Sequence, residues 1–201
     1  AYSEAMAKYG SDKAGEREKL NKKFASIGEA VRRAADGDTI VVIGNQTIGL
    51  SISFGRKNLN FHFVNSQLTV SGTYFMIVSA GVTANITGSF SLAGKVIPFA
   101  VYGNLNVYAR CTFENVGGMF AYGSGKAYFR HILAYSDFRL GNPNTYAFSI
   151  NNTSQIHIDR MDACQCWGLA SLSNAGSLIL KNGEVSCQGV IFNSSNAIRA
   201  K

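Results

Sequence analysis

The chain has 201 residues, 46% hydrophobic and only 15% charged, enough for one domain with a sizeable core. Its net charge is +7, but the 19 Lys and Arg are scattered, with no run longer than two, so the sequence does not point to nucleic acid as the main ligand. No apolar run reaches the roughly 18 residues of a membrane span, and no apolar stretch near the start reads as a secretory signal. A small residue at Ala1 suits a chain whose initiator Met has been removed, and equally a trimmed one.

Residues 3–23 are mixed in charge and read as helical, with Gly10 a candidate C-cap and Ser11 a candidate restart. Leu20, Phe24, Ile27, Val31 and Ala34 then recur at steps of three and four, a single apolar helical stripe. Ser26 followed by Glu29 fits a capping box. The turn "DGD" at Asp36–Asp38 ends the helix, with Gly37 free to take positive φ. From Thr39 the period changes to two: Ile48, Leu50, Ile52 and Phe54 alternate with Gly and Ser, and Leu59, Phe61 and Phe63 with Asn and His. Only Pro98 and Pro143 interrupt the chain, whereas Gly numbers 21, as expected for strands with glycine at their corners.

A longer period overlies this one. The pairs Leu59/Phe61, Val82/Ala84, Leu105/Val107, Ala127/Phe129, Ile156/Ile158 and Leu178/Leu180 follow one another at steps of 23, 23, 22, 29 and 22 residues. The long step contains extra sequence at Arg139–Ala147. Phe90, Phe113, Tyr135, Cys164 and Ser186 lie six residues beyond the second members. A repeat of this length is one coil of a parallel β-helix, in which no coil can bury its inner face alone. The inward positions expected are Leu105, Val107, Phe129, Ile156, Ile158, Leu178 and Leu180.

The segment Phe24–Ile48, "FASIGEAVRRAADGDTIVVIGNQTI", resembles the start of right-handed parallel β-helix proteins of the pectate-lyase-like group, found in phage tailspikes and head spikes and in polysaccharide-degrading enzymes. Ile27, Ala30, Ala34, Gly37, Asp38, Ile40 and Val42 carry the likeness, and "SLILKNGEVSCQG" at Ser177–Gly189 is similar to a later coil. The resemblance implies an all-β fold: a right-handed parallel β-helix with an N-terminal capping α-helix. The division expected is a helical anchor over 1–23, then cap and β-helix over 24–201.

Residues able to do chemistry are few. After Asp38 only Glu114, Asp137, Asp159, Asp162 and Glu184 carry carboxylates. Asp162 and Glu184 hold equivalent repeat positions, so they stack one coil apart, about 5 Å, within the spacing a retaining glycosidase uses. The plainer reading makes them surface carboxylates beside Arg160 and Lys181. His62, His131 and His157 share no repeat position and sit in no nucleophile motif. Cys111, Cys164, Cys166 and Cys187 lack zinc-ligand spacing and read as core thiols; neither metal nor cofactor is expected. Tyr146, in the long coil's extra sequence, and Trp167 are the candidates for stacking on a sugar, with a core role as the alternative.

The expected function is a bacteriophage virion component (tailspike, fibre or head spike) contacting host surface polysaccharide, with a polysaccharide-degrading glycoside hydrolase or lyase and a bacterial surface adhesin as alternatives. The partners expected are two further copies in a homotrimer, and other virion proteins through residues 1–23. The trimer rests on Gly81–Asn106, where Lys95 is the only charge and Ile97, Phe99, Val101 and Tyr102 lie close together.

Overall fold

A computed structural model describes residues 4–8, 22–142 and 145–194. The chain winds into a parallel β-solenoid of about seven coils. After the first coil, each coil has a long strand in one sheet and a short strand in a second. The long strands are β6 (Leu59–Val70), β8 (Thr83–Ala93), β10 (Asn104–Val116), β12 (Lys126–Asp137), β14 (Gln155–Cys166) and β16 (Ser177–Cys187). In the first coil, β3 (Thr39–Ile43) and β4 (Gln46–Ile48) divide this role, both pairing with β6. The short strands are β5 (Ile52–Ser53), β7 (Tyr74–Val78), β9 (Ile97–Val101), β11 (Met119–Ala121), β13 (Tyr146–Ile150), β15 (Gly168–Leu172) and β17 (Phe192–Ser194). Every neighbour from β3 and β5 onward is parallel.

Each long strand turns a corner midway, so it lines two sides of the core. In β6, Leu59, Phe61 and Phe63 point inward, Val64 and Asn65 form the corner, and Ser66, Leu68 and Val70 point inward again. Asn65 takes φ +47°, and one coil later Gly88 takes φ +87°. A Cβ on Gly88 would lie 1.9 Å from the Phe63 carbonyl oxygen, so the close approach of these two corners requires glycine there. The core is a continuous run of rings: Phe63 contacts Phe90 at 4.8 Å between centroids, Phe90 contacts Phe113 at 6.1 Å, and Phe113 contacts Tyr135 at 5.6 Å. Cys111, Cys164 and Cys166 are buried as thiols, and burial pushes the Cys111 pKa far up.

The inward positions expected from the repeat point inward. Leu105, Val107, Phe129, Ile156 and Ile158 are fully buried, and Leu178 and Leu180 pack against the core from the last coil. One marker pair is displaced. Leu59 and Phe61 face Ala84 and Ile86, not Val82 and Ala84, because Val82 is spent on the turn, its amide bonded to Ser79. Phe90 and Ser186 are likewise off the common register: Phe90 faces Cys111, and Cys164 faces Val185.

Helix α1 (Ile27–Arg33) buries Ile27, Ala30 and Val31 at the N-terminal end of the solenoid. The Ser26 hydroxyl accepts the Glu29 amide at 3.2 Å. Its other end is closed from the next coil: Lys57 Nζ donates to the carbonyl oxygens of Val31, Arg32 and Ala34 at 2.8, 3.3 and 2.9 Å. Gly37 takes φ +84°, and Asp38 accepts the Ala35 amide at 2.7 Å.

The helix expected over 3–23 is corrected where that segment is described. The described part of that segment is β1 (Glu4–Lys8) and β2 (Lys22–Phe24); residues 1–3 and 9–21 lie outside the described residues. β1 pairs antiparallel with both β3 and β2. The free backbone edge of β3 decides against local helical pattern, because each unpaired amide there costs about a kilocalorie or more when covered without a partner. Among the described residues no helix is long and apolar enough to cross a membrane.

Candidate functional site

In-register coils place equivalent residues above one another at about 4.8 Å. The position between the two inward markers of each coil faces outward and runs Asn60, Asn85, Asn106, Tyr128, His157 and Ile179 along the long-strand sheet. Its first half is an amide ladder. Asn106 Nδ2 donates to Asn85 Oδ1 and Asn85 Nδ2 to Asn60 Oδ1, each at 2.9 Å, and Asn60 donates to the Gly37 carbonyl. Its second half is Tyr128, His157 and the exposed Ile179. Tyr128 packs edge-on to His157 at 5.5 Å and against Tyr108 at 5.5 Å, and Tyr108 is 47% exposed.

Asp159 ties this half together. It accepts the Tyr128 hydroxyl at 2.5 Å, and its other oxygen lies 2.7 Å from Lys181 Nζ and 3.1 Å from His157 Nε2. The Lys181 ammonium and the Tyr128 hydroxyl hold its pKa below the usual carboxylate range, and that same hydrogen bond raises Tyr128. Beside it, Asp162 accepts Arg160 Nε at 2.5 Å and contacts His131 Nε2 at 2.8 Å, and Arg160 first, then His131, lowers its pKa. His131 and His157 are therefore strand-face residues held by carboxylates, and His62 is a strand-face residue whose Nδ1 lies 2.9 Å from the Thr87 hydroxyl. A groove of about 430 Å³ runs along Asn104, Asn106, Lys126, Tyr128, Gln155 and His157. Its floor offers amide donors and acceptors and its wall an aromatic face, the combination that stacks on a sugar ring and bonds its hydroxyls.

Asp162 and Glu184 do line one groove, of about 570 Å³, with Arg160, Asn182 and Gly183. Asp162 is a carboxylate held by Arg160 and His131 with its pKa lowered, the state of a nucleophile or electrostatic group and not of a proton donor. The one carboxylate among the described residues pushed up by burial is Asp137. It is fully buried, with one oxygen on the Arg139 amide at 2.8 Å.

Tyr146 and Trp167 meet edge-to-face at 5.6 Å on the outer surface, both half-buried. Each lies over a glycine of the next coil: a Cβ on Gly168 would fall 2.6 Å from the Tyr146 ring, and one on Gly189 2.3 Å from Trp167. Neither fills the core, unlike Phe148. The long coil's extra sequence is pinned by the Thr145 hydroxyl, which donates to the Arg139 and Asn142 carbonyls, and its Phe138 and Arg139 wall a groove shared with Lys95 and Ile97. Of the neutral stretch at 81–106, Phe99 and Val101 are core residues, and Tyr102 faces outward, stacked on Tyr122 at 5.7 Å. No metal-holding group of His, Cys, Asp or Glu occurs among the described residues.

Tyr108, Tyr128 and the Asp159–Lys181 pair were not singled out by sequence reasoning. The signal was present in the repeat: Tyr128 lies between the two markers of its coil, and Tyr108, Asp159 and Lys181 each follow the second marker of theirs. No family model, no curated protein and no solved structure matches this chain.

Proposed function

We propose that this chain is a virion component of a bacteriophage, a spike or fibre β-helix that binds host surface polysaccharide along the outer face of its long-strand sheet. The observation that carries the reading is the pair Tyr128–His157, flanked by Tyr108, continuing the amide ladder of Asn106, Asn85 and Asn60. Repeated at the coil spacing, it suits a repetitive, hydroxyl-rich chain lying along the solenoid axis. Tyr146 and Trp167 supply a second stacking surface in the same reading. Lateral association into a homotrimer, with the segment 1–23 toward other virion proteins, completes the proposal.

The second reading, a polysaccharide-degrading enzyme, is favoured by Asp162 and Glu184 in one groove. One assay separates the two. The intact chain is titrated with purified capsular polysaccharides and O-antigens, following both binding and release of reducing or unsaturated ends. The binding reading expects affinity without release, lost on Tyr128→Ala and kept in Asp162→Asn and Glu184→Gln. Release of ends by the intact chain, abolished in both carboxylate variants, would overturn it in favour of the enzyme.

A further inference from the structure

Among the described residues, the long strand of the last coil, β16, has one edge without a neighbouring strand. β16 pairs with β14 on one side only and is the terminal strand of its sheet. Its inward residues Leu178, Leu180, Val185 and Cys187 are partly exposed, although their neighbours one coil back, Ile156, Ile158, Cys164 and Cys166, are buried. An edge of this length invites a second strand.

The exposure of that edge is symmetric about its corner. Reading outward from a point between Asn182 and Gly183, exposure runs identically in both directions: exposed, exposed, half-buried, exposed, half-buried. Three of the five mirrored pairs are complementary, while Asn182 falls opposite Gly183 and Ile179 opposite Ser186. Leu180 mirrors Val185, Leu178 mirrors Cys187, and Lys181 mirrors Glu184 with opposite charge. In an antiparallel ladder, residues directly opposite point to the same face, so a strand pairing with its own copy needs inward residues opposite inward ones. Here the corner makes that hold on both arms. Among the described residues Glu184 is exposed and has no ion-pair or hydrogen-bond partner. Lys181 is 53% exposed while touching Asp159.

We infer that the C-terminal end of the solenoid docks on the same end of a second copy, about a two-fold axis through the β16 corner. β16 meets the partner copy's β16 antiparallel, and each Glu184 faces Lys181 of the other chain. The contact is isologous, so it closes at two ends and does not propagate into fibres. It requires no ligand on the outer face, and it doubles the assembly whether each half is one chain or a lateral trimer.

The test is the mass of the intact chain by light scattering and sedimentation from nanomolar to high micromolar concentration. Glu184→Lys, Lys181→Glu and the double reversal are run in parallel, with circular dichroism to confirm folding. Glu184→Lys is the clean arm, because that side chain supports nothing within its own chain. The intact chain is expected to reach twice the mass of Glu184→Lys, and the double reversal to recover the doubled mass. An intact chain that never exceeds the mass of Glu184→Lys overturns the inference, as does a folded double reversal that stays at half mass.

Discussion

The two ends of the solenoid face the same physical problem and solve it differently. At the N-terminal end, α1 lays Ile27, Ala30 and Val31 over the first coil, and β1 and β2 cover the edge of β3 with an antiparallel turn of sheet. At the C-terminal end, Leu178 and Leu180 sit in the same columns as Ile156 and Ile158 but remain partly exposed, and among the described residues no strand covers the outer edge of β16. The difference teaches that a repeat fold is not finished by its repeat. Interior coils satisfy one another, whereas an end needs a segment of different period, or a partner.

The sharpest way to break this comparison is one truncation made in two adjacent coils. Ile158 and Leu180 face each other in register, one fully buried and the other at the open end. Ile158→Ala should cost about 2–5 kcal/mol, the range for a large-to-small change in a closed core. Leu180→Ala should cost less than half of that at concentrations where the chain is unpaired. Equal losses in urea unfolding would mean that the last coil is as closed as the interior.

Next in size is the tie that closes the cap. Lys57 satisfies three carbonyls at the C-terminal end of α1, so Lys57→Met should cost about 1.5–3 kcal/mol, the range for charge-assisted hydrogen bonds. Exchange should quicken at α1 and stay unchanged at β16. Ser26→Ala, at the other end of the helix, should cost about 1 kcal/mol. A cap indifferent to both changes would not be closing that end.

The smallest effect is the pH dependence of the last coil. Asp159 and Asp162 titrate below their ordinary range, Asp159 because of Lys181 and Tyr128, Asp162 because of Arg160 and His131. A carboxylate lowered on folding contributes stability that is complete above its unfolded pKa, near 4, and is lost as pH falls through the lowered value. Since Lys181 is on β16 and Asp159 on β14, acid should loosen β16 before α1. Asp137 runs the opposite way. Its pKa is raised by burial, so its contribution is complete below the unfolded value and is lost as pH rises through the raised one. Asp137→Asn should flatten the unfolding free energy over that upper window, measured by urea titration at successive pH values.

The fold was legible because its cause is periodic. Alternation sets the faces and the 22-residue spacing sets the stack, so even one misplaced pair, Val82/Ala84, left the architecture unchanged. The capping helix was legible from Ser26 and from Ile27 and Val31, but the stripe was drawn too long: Phe24 belongs to β2, Ala34 is the C-cap, and Leu20 lies outside the described residues. The strand at Glu4–Lys8 was not, because its local pattern is helical and the deciding interaction is with β3, far along the chain. The outer face was legible only in part. Asp162, Glu184, Tyr146 and Trp167 were visible as chemistry-bearing types, but that Asp162 is held by His131 depends on contacts across coils. Tyr128 and Asp159 gain meaning only from register, which sets an aromatic beside a carboxylate 31 residues away.

The contrast between the two ends of the solenoid turns on closure of the β16 edge by a second copy. Hydrogen exchange read by mass spectrometry on the intact chain, at nanomolar and at high micromolar concentration, addresses that strand by strand. The prediction is that β16 amides gain protection with concentration in the intact chain but not in Glu184→Lys, while α1 and β3 are protected equally throughout. Protection of β16 that is independent of concentration, and the same in both chains, would contradict it.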